Sequence, residues 1–425
     1  MTILCGPTSS KLGRLRKGDL RCILYGGAEK PSEGSAGGTL LKLVRRAKLV
    51  PTPRAWDLLS IALSVICADT AEKRGDSPDG WTRAIALRVS VSDPDFWNAH
   101  KELIERQLKF LTTDIWQLEF CGLGLLPKPP KIPVIPEENC VALLSGGLDS
   151  FVGAIDLAAL GNKPYLVSQV SPGDKQAQAY FASKIGSGLS HLQLNHNVKC
   201  PGENDRSQRS RSIIFLAYGV LAATSLRRYK DGESVDLYMS ENGLISINPP
   251  LTPARIGSLS TRTTHPVFLG LFQDLLEAAE LRVQVRNPYQ LKTKGEMLRE
   301  CRDQAFLTKY AAETTSCGRF ARNGWKHCGR CLPCLIRRAA FHRWGEEDKT
   351  AYVYADLSKN DPQHARFDDV RCAAMAAALV ESEGIDSLAT TNLNGFAMGD
   401  LTPYKTMLTR GIKELGQFLA SAGVR

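Results

Sequence analysis

The chain has 425 residues, 43% of them hydrophobic and 23% charged, with a formal net charge of +10. This composition predicts a globular protein with two or three domains. No stretch reaches the roughly 18 consecutive apolar residues that a membrane-spanning helix needs, and the N-terminus lacks the apolar region of a signal peptide. We therefore expect a soluble cytoplasmic protein with no membrane partner.

Positive charge is concentrated near the N-terminus. Residues 1–60 contain 11 basic and four acidic residues, a net charge of +7. This distribution favours a solvated basic arm, with a patch for nucleic acid or an acidic partner as the alternative. Only Tyr25 and Trp56 are aromatic in this segment, so stacking on nucleic-acid bases has weak support.

We interpret residues 1–121 as an accessory α+β domain for partner or substrate docking, because they carry no recognisable catalytic constellation. Apolar runs and alternating patterns supply its elements. The predicted order is strands at 2–5 and 22–25, a flexible loop at 26–38, a buried helix at 58–67, a strand at 81–91, a helix from Asp93 or Asp95 to Phe110, and a strand at 115–120.

Five prolines make residues 122–139 a stiff, extended linker. The next unit, residues 140–345, opens with the apolar strand 140–144, the motif Ser145-Gly146-Gly147-Leu148-Asp149-Ser150 and a helix to Leu160. Glycines, serine hydroxyls and a helix N-terminus at one point predict an anion site. Because the motif has no Walker A lysine, it is a different kind of phosphate loop. A glycine-rich turn without a ligand is the alternative.

Strands and helices alternate after this motif, which predicts a parallel sheet with ligands beyond the carboxyl ends of its strands. The long loop 241–266 follows a strand and is interpreted as a substrate lid. Arg206, Arg209 and Arg211 suit phosphate or carboxylate contacts, or simply begin a solvated helix. The predicted strands are 165–170, 192–196, 235–239 and 281–285, and the helices 176–185, 212–225 and 267–278.

Four cysteines cluster late in the chain, at Cys317, Cys328, Cys331 and Cys334. Four thiolates with this spacing predict a closed, structural zinc site in a reducing compartment rather than a disulfide framework. Cysteines for redox chemistry or sulfur transfer are the alternative. Residues 346–425 are expected to form a C-terminal helical extension.

The glycine motif resembles the PP-loop of ATP pyrophosphatases, which cleave ATP between the α- and β-phosphates. Combined with the later cysteines, it resembles the 7-cyano-7-deazaguanine synthase family. The resemblance implies a Rossmann-like PP-loop fold over 140–345, ATP, Mg²⁺ and Zn²⁺. It also implies catalytic roles for Ser145, Asp149 and Ser150, and ATP binding by the loop Ser145, Gly146, Gly147, Leu148, Asp149 and Ser150. We expect substrate contacts from Arg209, Arg211, Glu241, Asn242, Arg262 and Lys294.

By this resemblance, ATP adenylates 7-carboxy-7-deazaguanine or a similar acid. The added terminal regions and the altered loop at 260–266 depart from the biosynthetic enzyme and are similar to synthase homologues in bacterial anti-phage systems, the Qat system among them. We therefore expect transfer of the acyl group to an amine, possible acceptors being ammonia or a partner protein of the same defence operon. A tRNA-modifying PP-loop enzyme and a nucleotide-sensing scaffold without turnover are the alternatives.

Overall fold

A computed structural model describes residues 1–8, 12, 16–171, 173–202, 204–205, 209–251, 262–358, 369–393 and 399–424, except the side chains of 390–392. Within these residues the strands are β1 (Thr2–Gly6), β2 (Leu20–Leu24), β3 (Gly34–Ala36), β4 (Ala84–Ser90), β5 (Ile115–Cys121), β6 (Cys140–Leu143), β7 (Pro164–Gln169), β8 (His191–Leu194), β9 (Val235–Tyr238) and β10 (Val283–Arg286). The helices are α1 (Leu40–Arg46), α2 (Pro53–Ala71), α3 (Pro94–Ala99), α4 (Lys101–Thr112), α5 (Leu148–Ala159), α6 (Asp174–Lys184), α7 (Arg211–Ala223), α8 (Arg227–Lys230), α9 (Gly243–Ile247), α10 (Pro266–Ala278), α11 (Lys294–Arg299), α12 (Gln304–Tyr310), α13 (Leu332–Trp344), α14 (Asp369–Glu383), α15 (Asp386–Leu393) and α16 (Thr402–Ser421).

The strands form two parallel five-stranded sheets, in the orders β3-β2-β1-β4-β5 and β10-β9-β6-β7-β8. In the second sheet Cys140 pairs with Pro164 on one side and with Asp236 on the other. The chain runs outward from β6 through β7 to β8 and then returns to the opposite side of β6. The carboxyl ends of β6 and β9 therefore flank a topological switch point, where parallel sheets bind ligands.

One apolar core joins the two sheets. Helix α2 is buried over almost its whole circumference, which is typical of a helix packed on both sides. It packs against α7 of the second sheet, and the buried residues of both elements belong to a single cluster. The linker residues also contact both parts, because the Val134 amide donates to the Lys48 carbonyl and Pro136 accepts from Arg227.

Two local predictions for the first sheet were wrong. The loop predicted at 26–38 contains β3, which pairs with β2 although Gly34, Ser35 and Ala36 have low strand propensity. The helix predicted from Asp93 to Phe110 is two helices, since His100 ends α3 and precedes α4. Asp93 does cap α3, because its carboxylate accepts the Phe96 amide at 3.3 Å.

A buried ionic network closes one end of the first sheet. Asp114 accepts two hydrogen bonds from the guanidinium of Arg74, at 2.7 and 2.8 Å, and one from Arg83 at 2.6 Å. Arg83 also donates to Asp69 at 2.5 Å. Two cations and two carboxylates therefore neutralise one another inside the protein, which the desolvation of each charge requires.

The C-terminal helices form a separate apolar cluster with α9 and α13. This agrees with the helical C-terminus expected from the sequence.

Cys22 and Cys67 are paired as a disulfide between β2 and α2, which the sequence analysis did not predict. Among the described residues, none of the helices combines the length and the apolar composition needed to cross a lipid bilayer. Lys11 and Arg14 of the basic N-terminal segment lie outside the described residues.

Candidate functional site

The glycine motif forms a tight loop between β6 and α5. Gly146 has φ = +87°, a left-handed conformation that favours glycine. The Ser150 hydroxyl accepts the Ser145 amide at 3.1 Å and donates to the Gly147 carbonyl at 3.0 Å. The two serine hydroxyl oxygens are 2.9 Å apart. Hydroxyls and amides therefore converge at the N-terminus of the twelve-residue helix α5, an arrangement that binds phosphate.

Asp149 lies in the first turn of α5, but its buried carboxylate is directed at residues that follow β9 and β10. It accepts the amide N–H of Asn242 at 3.1 Å and the side-chain N–H of Asn242 at 2.6 Å. The other carboxylate oxygen is 2.8 Å from Nζ of Lys294. Burial by itself would raise the pKa of Asp149, but the charge of Lys294 and these hydrogen bonds hold the pKa well below its ordinary value. Asp149 is therefore an anion at neutral pH.

Glu241 brings a second carboxylate to the same point. Its Oε1 accepts the side-chain amide of Asn242 at 3.2 Å. Asn287 fixes its backbone, since its side chain donates to the Glu241 carbonyl at 3.0 Å and accepts the Glu241 amide at 3.3 Å. Burial and the adjacent charge of Asp149 raise the pKa of Glu241 well above its ordinary value. One lysine therefore faces two carboxylates of unequal proton affinity.

Helix α11 presents Lys294 because its N-terminus is strongly fixed. Thr293 caps the helix in a capping box, in which its hydroxyl accepts the Glu296 amide and the Glu296 carboxylate accepts the Thr293 amide. The Thr293 hydroxyl also donates to Glu414 of α16 at 2.6 Å, and Arg410 of α16 donates to Glu296 at 2.6 Å. The C-terminal region therefore supports the lysine of the site directly.

The segment before the cysteines forms one wall of the loop. The Thr315 amide donates to the Gly146 carbonyl at 3.0 Å. Arg337, a fully buried side chain of α13, donates to Thr314 Oγ1 at 2.9 Å, Ser316 Oγ at 3.1 Å and the Ala311 carbonyl at 2.7 Å. Arg337 thereby holds this wall against the glycine loop.

The four cysteine sulfurs lie within 4.8 Å of one another and are buried. Two of the sulfur pairs, Cys317 with Cys331 and Cys328 with Cys334, are 3.9 Å apart. Tetrahedral zinc with Zn–S distances of about 2.3 Å needs sulfurs about 3.8 Å apart, so this cluster fits zinc. The Cys317 sulfur accepts the amides of Arg319 and Cys328 at 3.3 Å each, which suits a thiolate.

His327 is a neighbour of this cluster rather than a ligand. Its Nε2 accepts a hydrogen bond from the Ser316 amide at 3.1 Å, so this nitrogen carries no proton. Burial and the charge of Arg337 lower the pKa of His327 to about 4. The histidine therefore supports the wall segment that contacts the glycine loop.

A cavity opens beside the loop, at the carboxyl ends of β6 and β7 and under α7. Leu144, Ser145, Val167, Phe215 and Tyr218 line it. Gln169, Ser171, Asp174 and Arg211 supply its polar groups. An apolar cleft with a few polar groups next to a phosphate loop is the usual composition of a small-molecule site.

The structure brings Arg211, Glu241, Asn242 and Lys294 to the loop or its cavity but places two other predicted residues elsewhere. Arg209 donates to the Thr112 carbonyl and stacks on Trp81, where burial lowers its pKa to about 10. Arg262 donates to the Phe110 carbonyl and stacks on that ring. We leave both out of the candidate site.

Arg206 and residues 252–261 of the predicted lid lie outside the described residues, and the start of the lid forms α9.

Sequence reasoning missed Thr315, Arg337 and the contribution of α16. Neither a motif nor a periodicity marks these residues, because their role depends on contacts between distant segments. The residue pair Thr293 and Glu414, for example, is separated by 121 positions. A basic residue three positions after the last cysteine is a weak signal for Arg337, and it is the one indication the sequence offers.

A parallel α/β sheet with a Ser-Gly-Gly-x-Asp-Ser loop at its switch point defines the PP-loop class of nucleotide-binding domains. Sequence comparisons agree, since residues 263–345 match the family described as "Queuosine biosynthesis protein QueC". The 7-cyano-7-deazaguanine synthase of Brucella canis is 30% identical over 182 residues, 41% of this chain and 68% of that enzyme. This chain belongs to the 7-cyano-7-deazaguanine synthase family.

Two further relatives with significant sequence similarity are also 7-cyano-7-deazaguanine synthases. The 7-cyano-7-deazaguanine synthase 1 of Mesorhizobium japonicum is 29% identical over 182 residues, again 41% of this chain and 68% of that enzyme. The synthase of Paracoccus denitrificans is 38% identical over 98 residues, 22% of this chain, and the match spans 39% of its length. No solved structure gives a significant match.

Proposed function

We propose that this protein adenylates the carboxylate of a 7-deazaguanine acid with ATP and transfers the acyl group to an amine. The observation that supports it most is the cluster of Asp149, Glu241, Asn242 and Lys294 against the glycine loop, in a member of this family. A carboxylate is a poor electrophile, and adenylation supplies a leaving group. The loop amides and Lys294 would stabilise the charge that develops on the departing pyrophosphate.

The chemistry requires two displacements. A carboxylate oxygen attacks the α-phosphorus of ATP, and the bond to the β-phosphate oxygen breaks to release pyrophosphate. The amine nitrogen then attacks the acyl carbon, AMP leaves, and the nitrogen loses a proton. We assign the cavity of Leu144, Val167 and Phe215 to the adenosine part of ATP, because it begins at Ser145 and is largely apolar.

The residues present also fit Mg²⁺, which prefers oxygen ligands and usually bridges protein carboxylates and phosphates. Asp149 Oδ1 is buried and forms an ion pair with Lys294, but within the described residues it accepts no hydrogen bond of good geometry. The side chain of Glu241 lies next to Asp149. Asp149 and Glu241 would hold the ion, which would neutralise phosphate charge. The four cysteines would hold a structural zinc ion, because a site with four protein ligands leaves no open position.

We further propose that the acceptor amine belongs to a partner protein in anti-phage defence, in the cytoplasm. The matches to the Mesorhizobium japonicum and Brucella canis synthases cover 41% of this chain, and the first sheet and the C-terminal helices add surface that a reaction with free ammonia does not need. The sulfur-transfer alternative has less support, because it needs an accessible cysteine and the four clustered cysteines are buried.

The test is to incubate the protein with ATP, Mg²⁺, 7-carboxy-7-deazaguanine and either ammonia or the proteins encoded beside it. AMP and pyrophosphate are measured, and intact masses reveal an acylated partner. We expect AMP formation that depends on the acid and is abolished in Asp149→Asn. Asp236→Asn is the matched control, since this residue forms an exposed ion pair with Arg286 on the second sheet. ATP binding without AMP formation under all conditions would instead support a nucleotide-sensing scaffold.

A further inference from the structure

Trp325 is a large aromatic side chain left half exposed on the segment between Cys317 and Cys328. It retains 48% of its accessible surface. Its backbone φ is +62°, and the preceding Gly324 has φ = +61°. A left-handed conformation costs free energy in a bulky residue and is concentrated at functional sites. The fold therefore maintains an unfavourable backbone conformation that presents an indole ring to solvent.

The indole ring is held in place rather than mobile. The Trp325 amide donates to the Phe320 carbonyl at 3.0 Å, and the Phe320 ring packs edge-on at 6.1 Å between centroids. The ring lies against the backbone of Gly173, where an added Cβ would be 2.5 Å from Cε3 of the indole. Gly173 itself has φ = +87°. Any other residue at position 173 would therefore displace the ring.

The ring is linked through Gly173 to residues that line the cavity beside the glycine loop. Gly173 directly precedes Asp174, and Asp174 and Ser171 line the cavity together with Ser145. The segment that carries Trp325 contacts the loop at its other end, where Thr315 bonds Gly146. The chain from Thr315 to Trp325 thus contacts the phosphate loop at one end and Gly173, the residue before Asp174 of the cavity lining, at the other.

We propose that the exposed face of Trp325 is a stacking platform for the planar heteroaromatic ring of the acid that is activated at the loop. This inference rests on the proposed function and names the residue that recognises its second substrate. Aromatic rings bind planar heterocycles by offset stacking whatever the substituents. Because we assign the cavity beside Ser145 to adenosine, the exposed ring of Trp325 is available to the acid.

The experiment measures equilibrium binding to the full chain, not turnover. The probes are 7-carboxy-7-deazaguanine and a non-hydrolysable ATP analogue, each titrated separately by calorimetry. We expect Trp325→Ala to weaken binding of the acid about tenfold or more, and Trp325→Phe to retain affinity within about threefold. Trp81→Ala is the matched control, because Trp81 is 41% exposed and stacks against Arg209 just before β4. The affinity for the ATP analogue should be the same in all four proteins.

Two results would contradict the proposal that Trp325 stacks on the acid. One is equal affinity of wild type and Trp325→Ala for the acid, which includes the case that neither binds it. The other is a loss of affinity for the ATP analogue as large as that for the acid, which would assign the ring to adenine. A wild type that binds the acid but forms no AMP would contradict adenylation alone, so the two failures are distinguishable.

Discussion

The amide N–H of Thr315 donates to the carbonyl oxygen of Gly146 at 3.0 Å, and this contact joins the cysteine cluster to the phosphate loop. Thr315 lies two residues before Cys317, so the position of that sulfur constrains the wall segment. A metal site that only stabilised a distant subdomain would not influence nucleotide binding. The contact between Thr315 and Gly146 instead predicts that this metal site influences nucleotide binding.

Removal of zinc should therefore weaken ATP binding as well as stability. We expect Cys331→Ser to lose the metal, lower the melting temperature and weaken ATP binding about tenfold, a size typical of disturbed metal-site support. Zinc is measured by atomic absorption and ATP affinity by calorimetry. Cys121→Ser is the control, because the Cys121 thiol donates to the Val89 carbonyl in the first sheet. A folded, metal-free chain with unchanged ATP affinity would show that the contact has no functional effect.

Arg337 should act through the same wall without touching the nucleotide. Arg337→Met leaves Thr314, Ser316 and Ala311 without their charged donor, and each unpaired buried group costs about 1–3 kcal/mol. We expect a lower urea midpoint and a raised KM for ATP, with zinc content unchanged. Arg322→Met, an exposed change on the same segment, should match wild type in all three measurements. Loss of zinc in Arg337→Met would mean that the residue supports the metal site instead.

Lys294→Gln should weaken ATP binding because it leaves the Asp149 carboxylate without its cationic partner beside the phosphate loop. A cation close to the phosphates contributes a few kcal/mol through Coulomb attraction, so we expect a loss of about tenfold or more. Lys292→Gln is the control two residues away, since Lys292 forms an exposed ion pair with Glu300. Calorimetric titration with ATP compares the three proteins. Equal affinities for ATP would remove Lys294 from the site.

Asp114→Asn should destabilise the protein by about 3–5 kcal/mol, because it leaves the buried guanidinium groups of Arg74 and Arg83 undercompensated. Glu119→Gln, which breaks an exposed pair with Arg88, should cost less than about 1 kcal/mol. Urea unfolding followed by circular dichroism gives both values. Similar losses in the two variants would contradict the network's role.

The same residue predicts how stability depends on pH. Burial raises the pKa of Asp114, but hydrogen bonds from Arg83 and Arg74 outweigh it, so the net pKa lies below the ordinary 3.8. A carboxylate with a lowered pKa stabilises the fold fully above its ordinary pKa and loses this contribution as the pH falls. The stability difference between wild type and Asp114→Asn should therefore be constant at neutral pH and shrink below pH 3.8. A difference that shrinks already at neutral pH would contradict this assignment.

Features of this protein that have local signals could be predicted from its sequence. Gly146 requires a left-handed backbone, Cys317 to Cys334 have the spacing of a metal site, and alternating apolar runs predicted nearly every strand of both sheets. These signals survive because dihedral preferences, ligand spacing and periodicity act over a few residues. Elements with weak local signals were not predicted. Residues Gly34–Ala36, for example, have low strand propensity and form a strand because they pair with β2.

Which polar residues meet depends on how distant segments of the chain pack together. Asp149 pairs with Lys294, 145 positions later in the chain, while Arg209 and Arg262 bond to carbonyls near the first sheet. Nothing local distinguishes these basic residues from one another. The difference arises because parallel strands bring their carboxyl ends to one edge, and because a buried charge is stable only where the packed chain supplies its partner.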